Sequence, residues 1–508
     1  MANGLTALTF GILIILIGSQ LSLYYPAAFG QEALGPIVFD TELVVKPLVK
    51  GLYHPVSMAF VGPNDILILQ DKIGHINRIT NGTLLENPIL DLHIGATEPS
   101  ERCLCGIAVS KENDRVYVFI YYTESSANRD GDEFSDGGAP LGNRLYRYEL
   151  VGNNLINRTL LLDLPAFPGP IHNGGAITIG PDENIYIPIG DVNGSLKGRV
   201  WTKAQNYADG IDPDGRAGIL RITKDGGIVN GSVLGESFPL NLYFAYGIRN
   251  SFGIDFDLLT GKLWDTENGP MFGDEVNLVD AGFNSGWVRM QGIWEVIAGN
   301  ELTWGGKGNV TWDPQDLEDF GGRGNYSSPE FTWEVPRGLT ALKFFHSDRY
   351  GERHKDNLFV SDVNHGNIYE FSLNSNRTGF VLNGSLKDKV AEGPPDTGED
   401  APIIFARIPP NIVDLEVGPD GILYAVAISE GAIYRIVPYK DQTSVNTSNN
   451  ITTVAENSTI LYYGNDSSVA LATALANVLP GQKLEIGEGT YSVKSPVALQ
   501  IAQRPSNG

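Results

Sequence analysis

Cysteine and positive charge are both scarce in this chain, and each shortage closes off some chemistry. The only two cysteines stand together in Cys103-Leu104-Cys105, and no CxxCH sequence occurs, which argues against attached haem. A disulfide across i,i+2 of a strand needs Cα atoms near the upper limit of bridging distance. Two buried thiols are therefore favoured over a bridge, and a CxC metal site is less favoured still. Lysine and arginine total 36 against 60 aspartates and glutamates, a net charge of −24. Such a surface repels phosphate backbones, so nucleic acid is not an expected partner; it does suit hard cations such as calcium. Also missing are a Walker-type glycine loop and a Gly-x-Ser-x-Gly elbow, which argues against ATP and acyl-enzyme chemistry. Beyond the N-terminal segment, no stretch is long and apolar enough to span a bilayer.

What is present has a globular balance: 42% hydrophobic and 10% aromatic residues across 508 positions, enough for one large all-β domain or two smaller units. Sixty glycines and 29 prolines without a collagen period indicate many short strands and tight turns. Residues 1–31 carry no charged side chain, and Thr6 to Ser22 reads TALTFGILIILIGSQLS. Residues 1–30 are expected to be an export signal, with a small-residue site near Ala28-Phe29-Gly30, or an anchor through residues 5–28. Either places the body outside the cytoplasm, secreted or at the cell surface. Twelve Asn-x-Ser/Thr sequons agree with export, among them Asn81, Asn157, Asn230, Asn309 and Asn376, and a cluster from 446 to 465.

A unit recurs along the chain: a Gly/Pro/Asp/Asn turn, a short apolar strand, a second turn and a second strand. It reads GPNDILILQDKIGHINRI from Gly62, SKENDRVYVFIYYTE from Ser110 and GPDENIYIPIGD from Gly180. It returns as DLLTGKLWDTENG from Asp257, HKDNLFVSDVNHGNIYEFSL from His354 and GPDGILYAVAISEGAIYRI from Gly418. One such unit cannot cover both faces of its own sheet, so neighbours must stack, and radial closure removes open edges. The expectation is an all-β, six-bladed β-propeller over 36–440. A polar, sequon-rich linker follows at 441–468. Residues 469–508 read as a small extension, with a helix at Val469–Leu479 and a strand, resembling the opening turn of a β-helix.

Polar residues at strand ends are the site candidates of a propeller. Four stretches stand out: SERCLCG (100–106), IHNGG (171–175), YGIRNSFG with TENGPMFGDEVNLVDAGFNSGW (246–287), and NIVDLEV (411–417). In order and spacing they resemble the soluble quinoprotein glucose/sorbosone dehydrogenase family, over roughly residues 47–437. The resemblance implies a propeller holding pyrroloquinoline quinone (PQQ) and Ca²⁺. It implies oxidation of an aldose or related hydroxyl compound, with electrons passed to an external acceptor. His172 matches the catalytic base, a role that suits an imidazole because its ordinary pKa of about 6.5 leaves it accepting near neutrality. Arg249 matches the arginine beside the quinone oxygens, and Glu101 keeps part of a neighbouring family stretch. Gly269 and Pro270 match carbonyl ligands of the cofactor calcium. Glu275 and the Ser285 carbonyl match a second, structural calcium site, with Glu330 a further candidate.

Departures from the family pattern fall on the cofactor's anion cradle. A lysine and two arginines are replaced at Asn364, Asn411 and Val413, and an arginine after the His-x-Gly-Gly turn is Ala176. Lys343, His365 and Arg407 are the nearby basic residues in sequence that could substitute. PQQ carries three carboxylates, so this loss weakens its hold. The competing reading is a propeller that has lost PQQ and serves as an extracellular binding or cell-envelope module. A calcium-dependent propeller hydrolase using His172 is a third.

Overall fold

The recurring turn-and-strand units form hairpins within six sheets of a computed structural model. It describes residues 35–95, 101–126, 140–192, 200–297, 306–395, 398–409, 411–442, 458–461 and 483–486. The N-terminal leader and the helix expected at Val469–Leu479 lie outside the described residues. Chain contacts divide the protein into two units, Met1–Tyr439 and Lys440–Gly508.

In the first unit, β1 is Leu43–Lys50. The six innermost strands are β2 (Pro55–Gly62), β3 (Leu104–Glu112), β4 (Thr178–Ile179), β5 (Ser251–Asp257), β6 (Leu339–Phe344) and β7 (Ile412–Val417). Each starts a sheet that runs outward as an antiparallel meander, with short parallel strands added at the outer edge of blades three and four. Every innermost strand contacts the next, and β7 contacts β2, so the sheets form a closed ring. The architecture is an all-β six-bladed propeller. Its last blade borrows its outer strand from the start of the chain: β1 pairs with Ala432–Pro438 from Leu43↔Pro438 to Lys50↔Ala432. Closure of this kind leaves no blade with an unsatisfied edge at the seam.

The cores lie between blades rather than inside them, as stacked sheets require. The repeated Gly-Pro-Asp turn shows how a local sequence makes such a contact. In blade three the Tyr186 hydroxyl donates to Asp182 Oδ2 at 2.9 Å, and in blade six Tyr424 donates to Asp420 Oδ2 at 2.9 Å. Each tyrosine ring then meets the next blade's phenylalanine edge-on, Tyr186 on Phe256 and Tyr424 on Phe60, both at 5.0 Å between centroids. The turn supplies the aspartate, the strand supplies the tyrosine, and the neighbour is locked on.

Next to the seam, a buried imidazole ties the N-terminal segment to blade five. His354 is bonded through Nε2 to Asp40 Oδ2 at 2.9 Å and through Nδ1 to Glu370 Oε1 at 2.8 Å, with Arg353 also on Asp40. Burial opposes the charge on His354, but Glu370 and Asp40 outweigh it and raise its pKa above the usual 6.5. Burial also opposes ionisation of Asp40, yet the Glu42 amide, His354 and Arg353 bring its pKa below 3.8. The histidine's contribution is therefore complete below its unfolded value and lost as pH rises through the raised folded value. The aspartate's is complete above its unfolded value and lost as pH falls through the lowered one. Stability from this cluster is expected to peak between about pH 4 and 6.5. Urea midpoints of the wild type and His354→Gln across pH 4–9 should converge as the pH rises. Parallel curves would refute the linkage.

The second unit contributes two described strands, Ser458–Leu461 and Lys483–Ile486, paired in parallel from Ser458↔Lys483 to Leu461↔Ile486. The first of these lies within the tract expected as a polar, sequon-rich linker at 441–468. The run Thr459-Ile460-Leu461 is β-branched and apolar enough to join a sheet inside a polar tract.

The meander fixes where chemistry can gather. The loop before each innermost strand and the turn after each second strand lie at the same end of the channel. That end receives Glu101, His172, Arg249, Gly338 and Asn411 from the first kind of position. From the second kind come Lys72, Asp191, Asn268 to Gly273, and Asn364.

Candidate active site at the channel mouth

His172 reaches this mouth on an unusual backbone. It is a non-glycine residue in the left-handed region, φ 62°, and is only 6% exposed. A conformation of this kind persists only where neighbours hold it. Here the glycines that follow are obligatory on steric grounds. A Cβ on Gly174 would stand 2.2 Å from the Pro188 carbonyl oxygen, and one on Gly175 (φ 140°) would stand 2.2 Å from Cys105 Cβ. The turn is thus pressed against its own blade on one side and against blade two on the other.

His172 Nδ1 lies 2.6 Å from Asp191 Oδ1, and Trp287 Nε1 donates to Asp191 Oδ2 at 2.9 Å. An indole nitrogen can only donate. As a carboxylate, Asp191 accepts on both oxygens, and its partner on the imidazole is then Nδ1–H. The main-chain N–H of His172 donates to Glu101 Oε2 at 2.7 Å. Glu101, His172 and Asp191 thus form one linked set. Asp191 was not singled out in the sequence, although it ends the GPDENIYIPIGD repeat. Its signal was positional, in the turn after a second strand.

Arg249 joins the same set, 4% exposed, with its guanidinium over the Trp287 ring at 5.2 Å. Its Nη1 donates to Asn268 O at 2.6 Å and its N–H to Glu267 Oε2 at 2.8 Å, while Nε has no hydrogen-bond partner. Burial lowers the guanidinium's pKa, and Asp191, Glu101, Asp274 and Glu267 pull against that shift. The buried Asn268 Oδ1 is a second polar atom without a partner. A further cation at this end, Lys72, was missed in sequence. It is 7% exposed and donates to Arg102 O at 3.3 Å beside Asp71 at 2.9 Å.

Asp274 shapes the Gly269-Pro270 loop. Its Oδ1 accepts from Gly269 N at 2.9 Å, and its Oδ2 accepts from Arg337 N at 2.7 Å and Gly338 N at 2.8 Å. One carboxylate thereby ties blade four to the entry of blade five. Behind the loop, Glu275 and Ser285 do come together, with Ser285 Oγ donating to Glu275 Oε2 at 3.2 Å. Gln291 and the Gly292 amide occupy the other Glu275 oxygen. Asp265 and Glu267 share this buried face, and burial pushes Glu275 up to about 8, Asp265 up to about 7 and Glu267 upward. Glu330 is not brought to the cluster: its carboxylate is held by Lys389 at 2.8 Å. Among the described residues, no three His, Cys, Asp or Glu side chains form a metal-holding group.

The altered cradle positions fall as follows. Asn364 is exposed on the turn after Leu358–Asp362, at the mouth. Asn411, in the left-handed region at φ 66°, donates to Val363 O and accepts from Ser429 Oγ. Val413 packs against the core shared by blades five, six and one. Of the nearby cations, Lys343 lies on β6 between Glu416 at 3.1 Å and Asp255 at 3.6 Å. Arg407, at the end of Ile404–Arg407, donates to Asn367 Oδ1 at 2.9 Å. Only His365 shares the turn of Asn364. The cysteine expectation is overturned, because Cys103 and Cys105 form a disulfide with Cα atoms 4.9 Å apart. The ladder shifts register between Leu104 and Gly106, and that bulge brings together atoms that a flat strand would hold apart.

The closed six-bladed propeller thus brings an aspartate-held histidine and a buried arginine together at one channel mouth. The chain belongs to the glucose/sorbosone dehydrogenase family, whose model matches residues 52–435. The chain is 28% identical over 262 residues to the uncharacterized protein slr1608 of Synechocystis, covering 48% of this chain and 59% of that relative. It is 24% identical over 402 residues to the aldose sugar dehydrogenase YliI of Escherichia coli, covering 78% of this chain and 92% of that relative. It shares its fold with the PQQ-bound aldose sugar dehydrogenase of Streptomyces coelicolor, at a TM-score of 0.52 and 19% identity, covering 78% and 99% of the two chains.

Proposed function

We propose that the protein is an exported dehydrogenase that oxidises the hydroxyl group of an aldose or related compound, with His172 as base. The observation that carries this reading is the His172–Asp191–Trp287 chain beside Arg249. Asp191 fixes the proton on Nδ1, so Nε2 takes the substrate's hydroxyl proton, and the resulting imidazolium is stabilised by the same carboxylate. Arg249, a desolvated fixed cation, lowers the energy of negative charge developing beside it. Both side chains are almost closed to water, 6% and 4% exposed, where such charges are strongest.

Two of the buried polar atoms without partners, Arg249 Nε and Asn268 Oδ1, are a donor and an acceptor that a bound group would satisfy. They fit the redox end of PQQ. Arg249 and His172 would hold that end, with the carbonyls of Gly269 and Pro270 on Ca²⁺. Bound there, PQQ supplies the two-electron acceptor, and an external acceptor would regenerate it. Glu275 and the Ser285 carbonyl would serve a structural Ca²⁺. Exposure of the seven described sequon asparagines in the propeller, from Asn81 to Asn383, supports export and glycosylation.

A second reading, a PQQ-free surface binding module, is favoured by Asn364, Asn411 and Val413 in place of cations. Titration of the metal-free protein with PQQ and Ca²⁺, followed by sugar-dependent quinone absorbance, separates the two. No binding at 100 micromolar PQQ (a concentration of order ~10⁻⁴ M, ample for a micromolar Kd) selects the module, and PQQ binding excludes it. Asn364→Lys is expected to tighten PQQ by roughly ten- to a hundredfold, the worth of one charge-assisted hydrogen bond. An unchanged affinity would remove Asn364 from the cradle.

A further inference from the structure

The two cysteines have no part in the proposed chemistry, yet they sit against the loop that carries it. Cys105 is the bulge residue of β3, flanked by the pairs Leu104↔Tyr122 and Gly106↔Tyr121. A Cβ on Gly175 would stand 2.2 Å from Cys105 Cβ and 3.3 Å from its Sγ, and one on Gly106 would stand 1.7 Å from Gly175 O. The disulfide segment is therefore in direct contact with the turn three residues beyond His172.

The residues just before the bridge grip the same loop from its other side. Glu101 N–H donates to Pro170 O at 3.1 Å, and Glu101 Oε2 accepts the His172 N–H at 2.7 Å. Arg102 Nη2 donates to Ala166 O at 2.9 Å, and its guanidinium lies over Phe167 at 5.5 Å. Residues 101–106 thus clasp residues 166–175 before and after a histidine whose φ of 62° needs outside support. The register of that clasp depends on the bulge, and the bulge is closed by the Cys103–Cys105 bond. A ring spanning one intervening residue restricts the unfolded chain less than a longer loop does. Its effect belongs to the local geometry of this clasp more than to global stability.

We propose that the Cys103–Cys105 disulfide is a redox-set positioning element for His172: oxidised, it holds the His172 turn in its working geometry, and reduced, it lets the turn relax. Both cysteines are partly exposed, which gives a thiol reagent access. The exchange is balanced by an external dithiol. Its thiolate attacks one cysteine sulfur and the protein S–S bond breaks, releasing the other as a thiol. The second reagent thiol then displaces the first cysteine from the mixed disulfide. Two electrons and two protons pass to the protein, and the reagent leaves as its own disulfide.

The inference rests on His172 as the base, but its test does not need turnover. The full-length protein would be equilibrated in graded dithiothreitol buffers. The two thiols would be counted by alkylation and mass spectrometry, and amide hydrogen exchange read for peptides covering 101–106 and 166–176. The expected result is paired appearance of both thiols and at least tenfold faster exchange at 166–176, reversed by reoxidation, with blades five and six unaffected. Cys103→Ser with Cys105→Ser should show the fast exchange in every buffer. Because reduction and reoxidation of the wild type form the primary comparison, poor folding of that variant leaves the test intact. Unchanged exchange at 166–176 on full reduction would overturn the proposal. A rise spread evenly over all blades would overturn it as well. A catalytically silent protein that still shows the local, reversible response would count against the dehydrogenase reading and leave the clasp standing.

Discussion

Replacing His172 with asparagine is expected to lower kcat by about 10²- to 10⁴-fold, the usual worth of a positioned general base, while the propeller stays folded. Asparagine suits the experiment because it tolerates the left-handed backbone that this position imposes, φ 62°. Its amide can also donate toward Asp191, so the carboxylate is not left without a partner. What it cannot do is take a proton. The Trp287 Nε1 bond to Asp191 gives an internal control: tryptophan emission should stay near that of the wild type if Asp191 has kept its place. Sugar-dependent reduction at saturating PQQ and Ca²⁺, alongside PQQ affinity, reads the outcome. A variant that binds the cofactor normally and keeps more than a tenth of wild-type kcat would remove the base assignment.

How much of this was legible in sequence depended on the distance over which each feature is decided. The Gly-Pro-Asp turn could be read because Asp182 and Tyr186, or Asp420 and Tyr424, are four residues apart and meet within one hairpin. The seam could not be read, since β1 finds Ala432–Pro438 only after the ring has closed. The same contrast governs the site. His172 and Arg249 were legible because each sits in a distinctive local run. Asp191 was in view but unassigned, because its meeting with His172 follows from the meander returning second strands to the mouth. Glu330 was a further candidate for the second calcium site through the family resemblance, and its main-chain N–H does reach Val276 O at 2.9 Å. Its side chain nevertheless pairs with Lys389, which precedes Val390–Ala391, a distant segment that returns to the outer edge of blade four and that no local pattern connects to it. The cysteines failed for a related reason. The i,i+2 distance of a regular strand, about 6.6 Å by its rise per residue, was the wrong reference for a bulge, where the Cα atoms are 4.9 Å apart.

Arg337 carries the largest expected cost in stability, because it pairs two charges from which water is fully excluded. Arg337 Nε donates to Asp400 Oδ2 at 2.8 Å, with both side chains 0% exposed. Its Nη1 reaches Val335 O at 2.8 Å and its Nη2 reaches Gly393 O at 3.2 Å, so the guanidinium satisfies two carbonyls as well as a carboxylate. Arg337→Met keeps the length of the stem but leaves Asp400 with the Trp333 Nε1 hydrogen bond, 3.2 Å, as its remaining side-chain donor in this cluster. Breaking one side of a buried pair costs about 3–5 kcal/mol, most of it the stranded charge. The urea midpoint should fall accordingly. Removing the second charge as well, in Arg337→Met with Asp400→Leu, should recover a large part of that loss, because the cost lies in the unpaired ion more than in the missing bond. The site gives a separate readout. Asp274 is held by the main-chain N–H groups of Arg337 and Gly338, which the substitution leaves in place. In the double variant, PQQ affinity should therefore stay within a few-fold of wild type. A single variant that loses less than about 1 kcal/mol, the range of an exposed pair, would show that the pair is hydrated and that the argument from burial fails.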